Sequence, residues 1–374
     1  MAEMMDTPMS GMMLADSDDD SAVGVNDERL SISSLTSSIR AFHYENGRTY
    51  HAYSAGKYIL PNDEEERDRL DMQNHHFLIT FGGKMCFAPG SHTARRVLDI
   101  GTGTADAHPS AEVLGVDLSP IQPFYVPPNC SFEIDDLEKD WTWVRPFDYI
   151  FSRMMVGCFG DFTHLITQSY KHLTPGGWFE IIDSLFPMQS DDGTLKDHHA
   201  LKRWADLLCE ASNKLGRSLA ATKDHRDRLI AAGFTNVTIL HYKWPTNRWP
   251  KDPQNKLVGL WTLANIGGSL EGLSLALLTR GLGWSKEQVH AFLPEIRRLR
   301  TETVLPPCAN PVINCMDAFE QERVKYDTDT DARRATEVFK QKPTRSVLEK
   351  KMLRGSAIDG QMNSRTDGVK FWNE

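Results

Sequence analysis

Residues 96–104, Arg-Val-Leu-Asp-Ile-Gly-Thr-Gly-Thr, restrict the fold more than any other stretch of the 374-residue chain. Val97-Leu98-Asp99-Ile100 is an apolar run of the kind found in a buried parallel strand, and Gly101-Thr102-Gly103 is a glycine turn at its carboxyl end. Glycine has no Cβ, so backbone amides in such a turn can approach a polar ligand at the edge of a sheet. A second strand, Glu112-Val-Leu-Gly-Val-Asp117, follows closely and ends in an acid. Only Thr104 to Ala111 remain between the two, where a crossover helix is expected.

The alternation continues downstream. Parallel-type strands are predicted at Ser131–Ile134, Phe147–Ser152 and Trp178–Ser184, with a helix from Phe162 to Leu173 closed by Thr174-Pro175-Gly176-Gly177. Upstream, Pro61-Asn62 before Asp63-Glu64-Glu65-Glu66 marks a helix start capped by Asn62, and Gly82-Gly83 stops that helix. Leu201, Trp204, Leu208, Ala211 and Leu215 recur at three and four, which predicts an amphipathic helix over Leu195–Leu215. A helix over Asp224–Ala232, a strand over Val237–Trp244 and a mainly helical stretch over Asp252–Arg300 complete the pattern. Strands alternating with helices predict an α/β fold wound on a parallel sheet.

The termini read differently. Residues 1–40 form an acidic, serine-rich leader with little to bury, so disorder is expected there. Residues 41–300 carry the patterned domain. Residues 301–374 are a poorly patterned, partly basic tail. A net charge of −9 argues against a chain that coats nucleic acid over its whole surface. Six scattered cysteines without a CxxC pair read as reduced thiols and point to no metal. The amino terminus is acidic where a signal peptide would be basic, and no apolar run nears the roughly 18 residues of a membrane span. The expectation is a nuclear or cytoplasmic protein.

The ends of the strands carry polar residues in a telling order. Asp99 precedes the glycine turn, Asp117 ends the second strand, Asp135-Asp136 follow the third and Ser152-Arg153 follow the fourth. In an open parallel sheet these ends line one ligand-binding edge. The order suits a ligand that runs from amino acid to sugar to base. Asp99 would accept from an ammonium and Asp117 from both hydroxyls of a ribose. Asp136, with Leu137 beside it, would accept from an adenine amino group, and Leu118 would cover the ring.

VLDIGTGT, EVLGVDLSPIQP, FEIDDLEKDW, FDYIFSR and LTPGGWFEIID, in this order, resemble the motifs of class I S-adenosylmethionine-dependent methyltransferases. With RTYHAYSAGKYILPNDEEERDRLD, SDDGTLKDHHALKRWADLL, WPKDP and EGLSLALLTRGLGWS, the chain resembles the fungal LaeA-like methyltransferases, regulators of secondary metabolism, over residues 46–298. The resemblance implies a Rossmann-like sheet with flanking helices and S-adenosyl-L-methionine as cofactor. It also implies cofactor-binding roles for Asp99, Gly101, Gly103, Asp117, Leu118, Asp136, Leu137 and Ser152. Tyr50 and Tyr53 would close over the methionine part, although ordinary packing accounts for either one. No catalytic residue is assigned, because methyl transfer from a sulfonium needs alignment and dryness more than a nucleophile. His164, Asp183 and His198 read as packing or surface residues. The acceptor is a small molecule or a protein. A second reading, of another class, is a non-catalytic partner-binding module in a velvet-type nuclear complex. A nicotinamide dehydrogenase shares the glycine turn and the ribose acid, but the full GxGxxG is absent.

The chain departs from the family twice. Residues 104–111 would cover only about 12 Å as a helix, and Pro109 limits even that. Extended, they span about 28 Å, enough to return along a strand of about 17 Å as a strap. The truncated connection favours the partner-binding reading; Asp117 and Asp136 favour the enzyme. Beyond Leu305, Pro306-Pro307-Cys308-Ala309-Asn310 matches nothing in the family, which leaves the seventh strand in doubt.

Overall fold

The computed structural model describes residues 41–101, 108–120, 127–190, 195–298 and the strand at 312–319. A short hairpin, β1 (His43–Glu45) and β2 (Arg48–Tyr50), leads into α1 (Glu64–Thr80). The cap of α1 is Asp63 and not Asn62: its carboxylate accepts from the Glu66 amide at 3.1 Å and also holds Arg48 through two hydrogen bonds. An ionised cap suits the positive end of the helix better than an amide does.

Seven strands form the main sheet: β3 (Arg96–Ile100), β4 (Glu112–Asp117), β5 (Cys130–Ile134), β6 (Phe147–Arg153), β7 (Leu173–Ser184), β8 (Val237–Lys243) and β9 (Val312–Phe319). Their order is β5-β4-β3-β6-β7-β9-β8. The first five are parallel; β9 runs antiparallel to both β7 and β8. The strand doubted from the sequence is therefore present, inside the expected tail. Asn314 and Asp317 break its apolar alternation, so periodicity misses it. Pairing on both edges specifies it instead. Thr174-Pro175-Gly176-Gly177 also differs from the expected turn: it is an excursion within β7, between the pairs Phe147↔Leu173 and Tyr149↔Trp178.

Among the described residues six further helices accompany the sheet: α2 (Phe162–Lys171), α3 (Ala200–Lys214), α4 (His225–Ala232), α5 (Pro253–Gly268), α6 (Leu270–Ala276) and α7 (Lys286–Arg298). The three-and-four pattern of α3 buries Trp204, Leu208 and Ala211, and the Trp204 indole donates to the Ser274 hydroxyl at 2.8 Å. Helix α1 lies across the carboxyl edge of the sheet. It is fixed there by Phe77 in the core, by His76 stacked on Trp244 at 3.8 Å, and by the Trp244 indole donating to Thr80.

The shortened connection between β3 and β4 closes in parallel register, Arg96↔Glu112 through Ile100↔Val116. Residues 102–107 of the expected strap lie outside the described residues. His108–Ala111 form a turn, with the Ala111 amide donating to the His108 carbonyl. Beside this connection the sheet is covered by a polar cluster. The Glu180 carboxylate, fully buried, accepts from the amides of Phe87 and Ala88 and from the Tyr149 hydroxyl at 2.9 Å. Cys86 Sγ lies 3.6 Å from His108 Nε2.

Burial pushes the Glu180 carboxyl from 4.5 up to about 7, against the lowering effect of its three donors. The folded protein thus keeps a proton that the unfolded chain has lost, and stability falls as pH rises from about 4.5 to about 7. In urea unfolding, the stability of the wild type relative to Glu180→Gln should drop by about 2–3 kcal/mol between pH 5 and pH 8. A flat difference would refute the assignment.

Candidate functional site

A cavity of about 630 Å³ opens over the carboxyl ends of β3, β4, β5 and β6. Its floor carries Asp99, Gly101, Asp117, Leu118, Asp136 and Leu137, six of the eight residues expected from the sequence. Gly103 lies outside the described residues. Ser152 does not line the cavity. Strand alternation aims Phe151 and Arg153 at it and sends Ser152 to the opposite face, where its buried hydroxyl has no partner among the described residues. Arg153 was legible in the same dipeptide, had the period of two been counted from Asp99.

Gly101 has φ +84°, and a Cβ there would lie 2.7 Å from Met155 Sδ. The turn therefore needs glycine both for its conformation and for the close approach. Neither Tyr50 nor Tyr53 lines the cavity. Tyr50 is buried under the Arg280 guanidinium at 4.4 Å, and the Tyr53 hydroxyl accepts from Lys139. Tyr58 lines it instead.

Other residues of the cavity gave no sequence signal, because helical folding alone brings them there. Asn62, Glu64, Asp68, Asp71 and Asn74 form a polar wall from α1 and the residues just before it. The Asn62 side chain is 5% exposed; its oxygen accepts from Thr49, and its amide nitrogen has no partner among the described residues. Among the described residues the lining holds nine carboxylates against three cations, Lys57, Arg67 and Arg153. No histidine lines it among the described residues. Asp183 shapes it from behind: its buried carboxylate accepts from the Val156 amide and lies 3.7 Å from His225. His164 sits at the surface against the Lys139 carbonyl.

Two carboxylates differ in electrostatic state. Burial pushes the Asp117 carboxyl up to about 6, the charge of Asp99 adds to the rise, and the amides of Ser119 and Leu118 oppose it. Asp117 Oδ1 accepts from Ser119 at 2.9 Å, which leaves lone pairs for two hydroxyls. Burial also works against ionisation of Asp136, but hydrogen bonds from Lys57 and Ser54 outweigh it and hold its carboxyl below the usual range. Asp136 Oδ2 takes Lys57 at 2.6 Å and Ser54 at 2.9 Å, and Oδ1 takes the Glu138 amide. A carboxylate has about four acceptor positions, so one remains for an amino group. Lys57 also reaches Glu138 at 2.9 Å, and Glu138 in turn pairs with Arg217. This network ties the segment before α1 across the β5 end of the cavity.

The acceptor set suits S-adenosylmethionine: an acid able to take the ammonium, a half-engaged acid able to take the ribose and a last acceptor position for the adenine, beside Gly101. Donation by ribose hydroxyls needs ionised Asp117. Affinity for S-adenosylhomocysteine, measured by calorimetry, should therefore weaken about tenfold per pH unit below the Asp117 transition. Asp117→Asn should flatten that profile. Gly101→Ala should cost about 1–2 kcal/mol through its positive φ alone, read as a loss of both thermal stability and ligand affinity.

Comparison with known proteins identifies the family. The model of a methyltransferase domain family matches residues 64–239. "Methyltransferase pytC" of Aspergillus terreus is 40% identical over 275 residues, covering 71% of this chain and 85% of that one. "Secondary metabolism regulator LAE1" of Cochliobolus heterostrophus is 36% identical over 270 residues, 68% and 88% of the two chains. "Protein-methionine methyltransferase laeA" of Emericella nidulans is 36% identical over 267 residues, 68% and 71% of the two. The chain belongs to the LaeA-like family of class I S-adenosylmethionine-dependent methyltransferases.

Proposed function

We propose that Asp99, Gly101, Asp117, Leu118, Asp136 and Leu137 hold the cofactor, and that the acceptor enters along the α1 wall. The observation that carries this reading is the arrangement of Asp99, Asp117 and Asp136 along the edge of one cavity, on neighbouring strands. The bound cofactor supplies a methyl group already activated on a sulfonium, so the protein's part is alignment and exclusion of water. Asp117 fixes the sugar and Asp136 the base. Leu118 and Leu137 exclude water from the ring. Met155 and Phe159 screen the other side, and Glu64, Asp68 and Asp71 present acceptors to the incoming substrate.

The domain reading places the methyltransferase unit over residues 41–300, to which β9 adds its strand. A role in the regulation of secondary metabolism is supported by relatives that carry that description. A nuclear site of action and a velvet-type partner extend this reading, and their support is the family resemblance. No helix among the described residues is long and apolar enough to cross a membrane.

Titration of the full chain with S-adenosylhomocysteine should show one site of micromolar affinity. Asp117→Ala should weaken it by about 2 kcal/mol, roughly 30-fold, through loss of two charge-assisted hydrogen bonds. No heat with the wild type, at a concentration where the fold is intact by circular dichroism, would overturn the reading.

A further inference from the structure

Arg153 has no role in the arrangement described so far. It ends β6 and lines the cavity, as do Asp99 of the neighbouring β3 and Gly101 just after it. One guanidinium nitrogen donates to Asn74 Oδ1 at 2.8 Å, and the group lies 5.1 Å from the ring centre of Phe77 and 5.9 Å from that of Phe151. Among the described residues no carboxylate oxygen comes within the 4.0 Å of an ion pair. Arg153 is half-buried, and of the five N–H donors of its guanidinium Asn74 engages one. Two aromatic faces and one amide hold its orientation but leave most of its fork unused.

The position indicates the anion. Along the sheet edge the order is β5, β4, β3, β6, so the polar ends read Asp136, Asp117, Asp99, Arg153. If base, ribose and ammonium take the first three, a carboxylate attached to the ammonium-bearing carbon falls at the fourth. The four strands span about 14 Å at ordinary strand spacing, comparable to an extended nucleoside-amino acid conjugate. Asp99 and Arg153 then present opposite charges to a zwitterion of opposite sense. The short return to β4 makes such a cation more important. A full crossover helix would offer its positive end to an anion, whereas here His108–Ala111 are a turn.

We propose that Arg153 is the anchor for the α-carboxylate of the cofactor's methionine moiety, a fork-shaped charge serving where a helix end commonly does. This rests on the cofactor site proposed above. The test is calorimetric, on the full chain, with S-adenosylhomocysteine, 5′-methylthioadenosine (which has no amino-acid part) and S-adenosylmethionine with its decarboxylated form.

Arg153→Met should lose about 30-fold or more in affinity for S-adenosylhomocysteine and keep its affinity for methylthioadenosine; Arg153→Lys should recover part of the loss. The wild type should bind decarboxylated S-adenosylmethionine about 30-fold more weakly than S-adenosylmethionine, a comparison that needs no variant to fold. Equal losses for both thioether ligands would mean that Arg153 only shapes the cavity. Undiminished binding of S-adenosylhomocysteine by Arg153→Met would assign the guanidinium to a carboxylate on the acceptor; either result overturns the proposal. Silence of the wild type toward every ligand would instead remove the cofactor site itself, and this inference with it.

Discussion

The site depends on the register in which β3 pairs with β4 on one side and β6 on the other. Asp99 stands opposite Gly115 and Phe151, so Asp117 and Arg153, each two residues further on, share its face of the sheet. Side chains alternate with a period of two, and a slip of one residue would exchange them for Val116 and Ser152. Polar edge and apolar core are thus specified by the same pairing. The buried run on β3 and β4 fixes it, since a register shifted by one residue would turn Asp99 and Asp117 to the other face.

The short return between β3 and β4 has a structural counterpart on the sheet face beside it. Where an aliphatic helix face would normally lie, the chain places Cys86, His108, Tyr149 and Glu180, all buried. Burial holds His108 below its usual pKa, so its ring stays neutral over physiological pH, and the Glu180 carboxylate ties the backbone at Phe87 and Ala88 to β7. Polar cover of this kind is tolerated because each member has a partner. It restrains the segment leading into β3.

Much of this was written locally in the chain. Gly101 after β3, the acids at the ends of β4 and β5, and the three-and-four pattern of α3 depend on short-range chemistry, and the structure places them as the sequence implied. What escaped the sequence was set by distant pairing. Val312–Phe319 becomes a strand through neighbours at 180–184 and 237–243, not through its own pattern. The cap moved from Asn62 to Asp63 because Arg48, from the hairpin, fixes the carboxylate. Ser152 was expected at the site by family resemblance, whereas the side-chain alternation of β6 turns Arg153 toward the cavity. The polar wall of α1 could not be read at all, since nothing in a helix announces which groove its hydrophilic face will border.

The carboxylate-rich lining of the cavity has a consequence for turnover. A sulfonium carries a positive charge, and the thioether left after methyl transfer does not. Among the described residues the lining has nine acids against three bases, and its field favours the charged reactant over the neutral remnant, because the reaction removes the positive charge on which that field acts. The same walls that draw the donor in therefore relax their hold once the methyl group has gone.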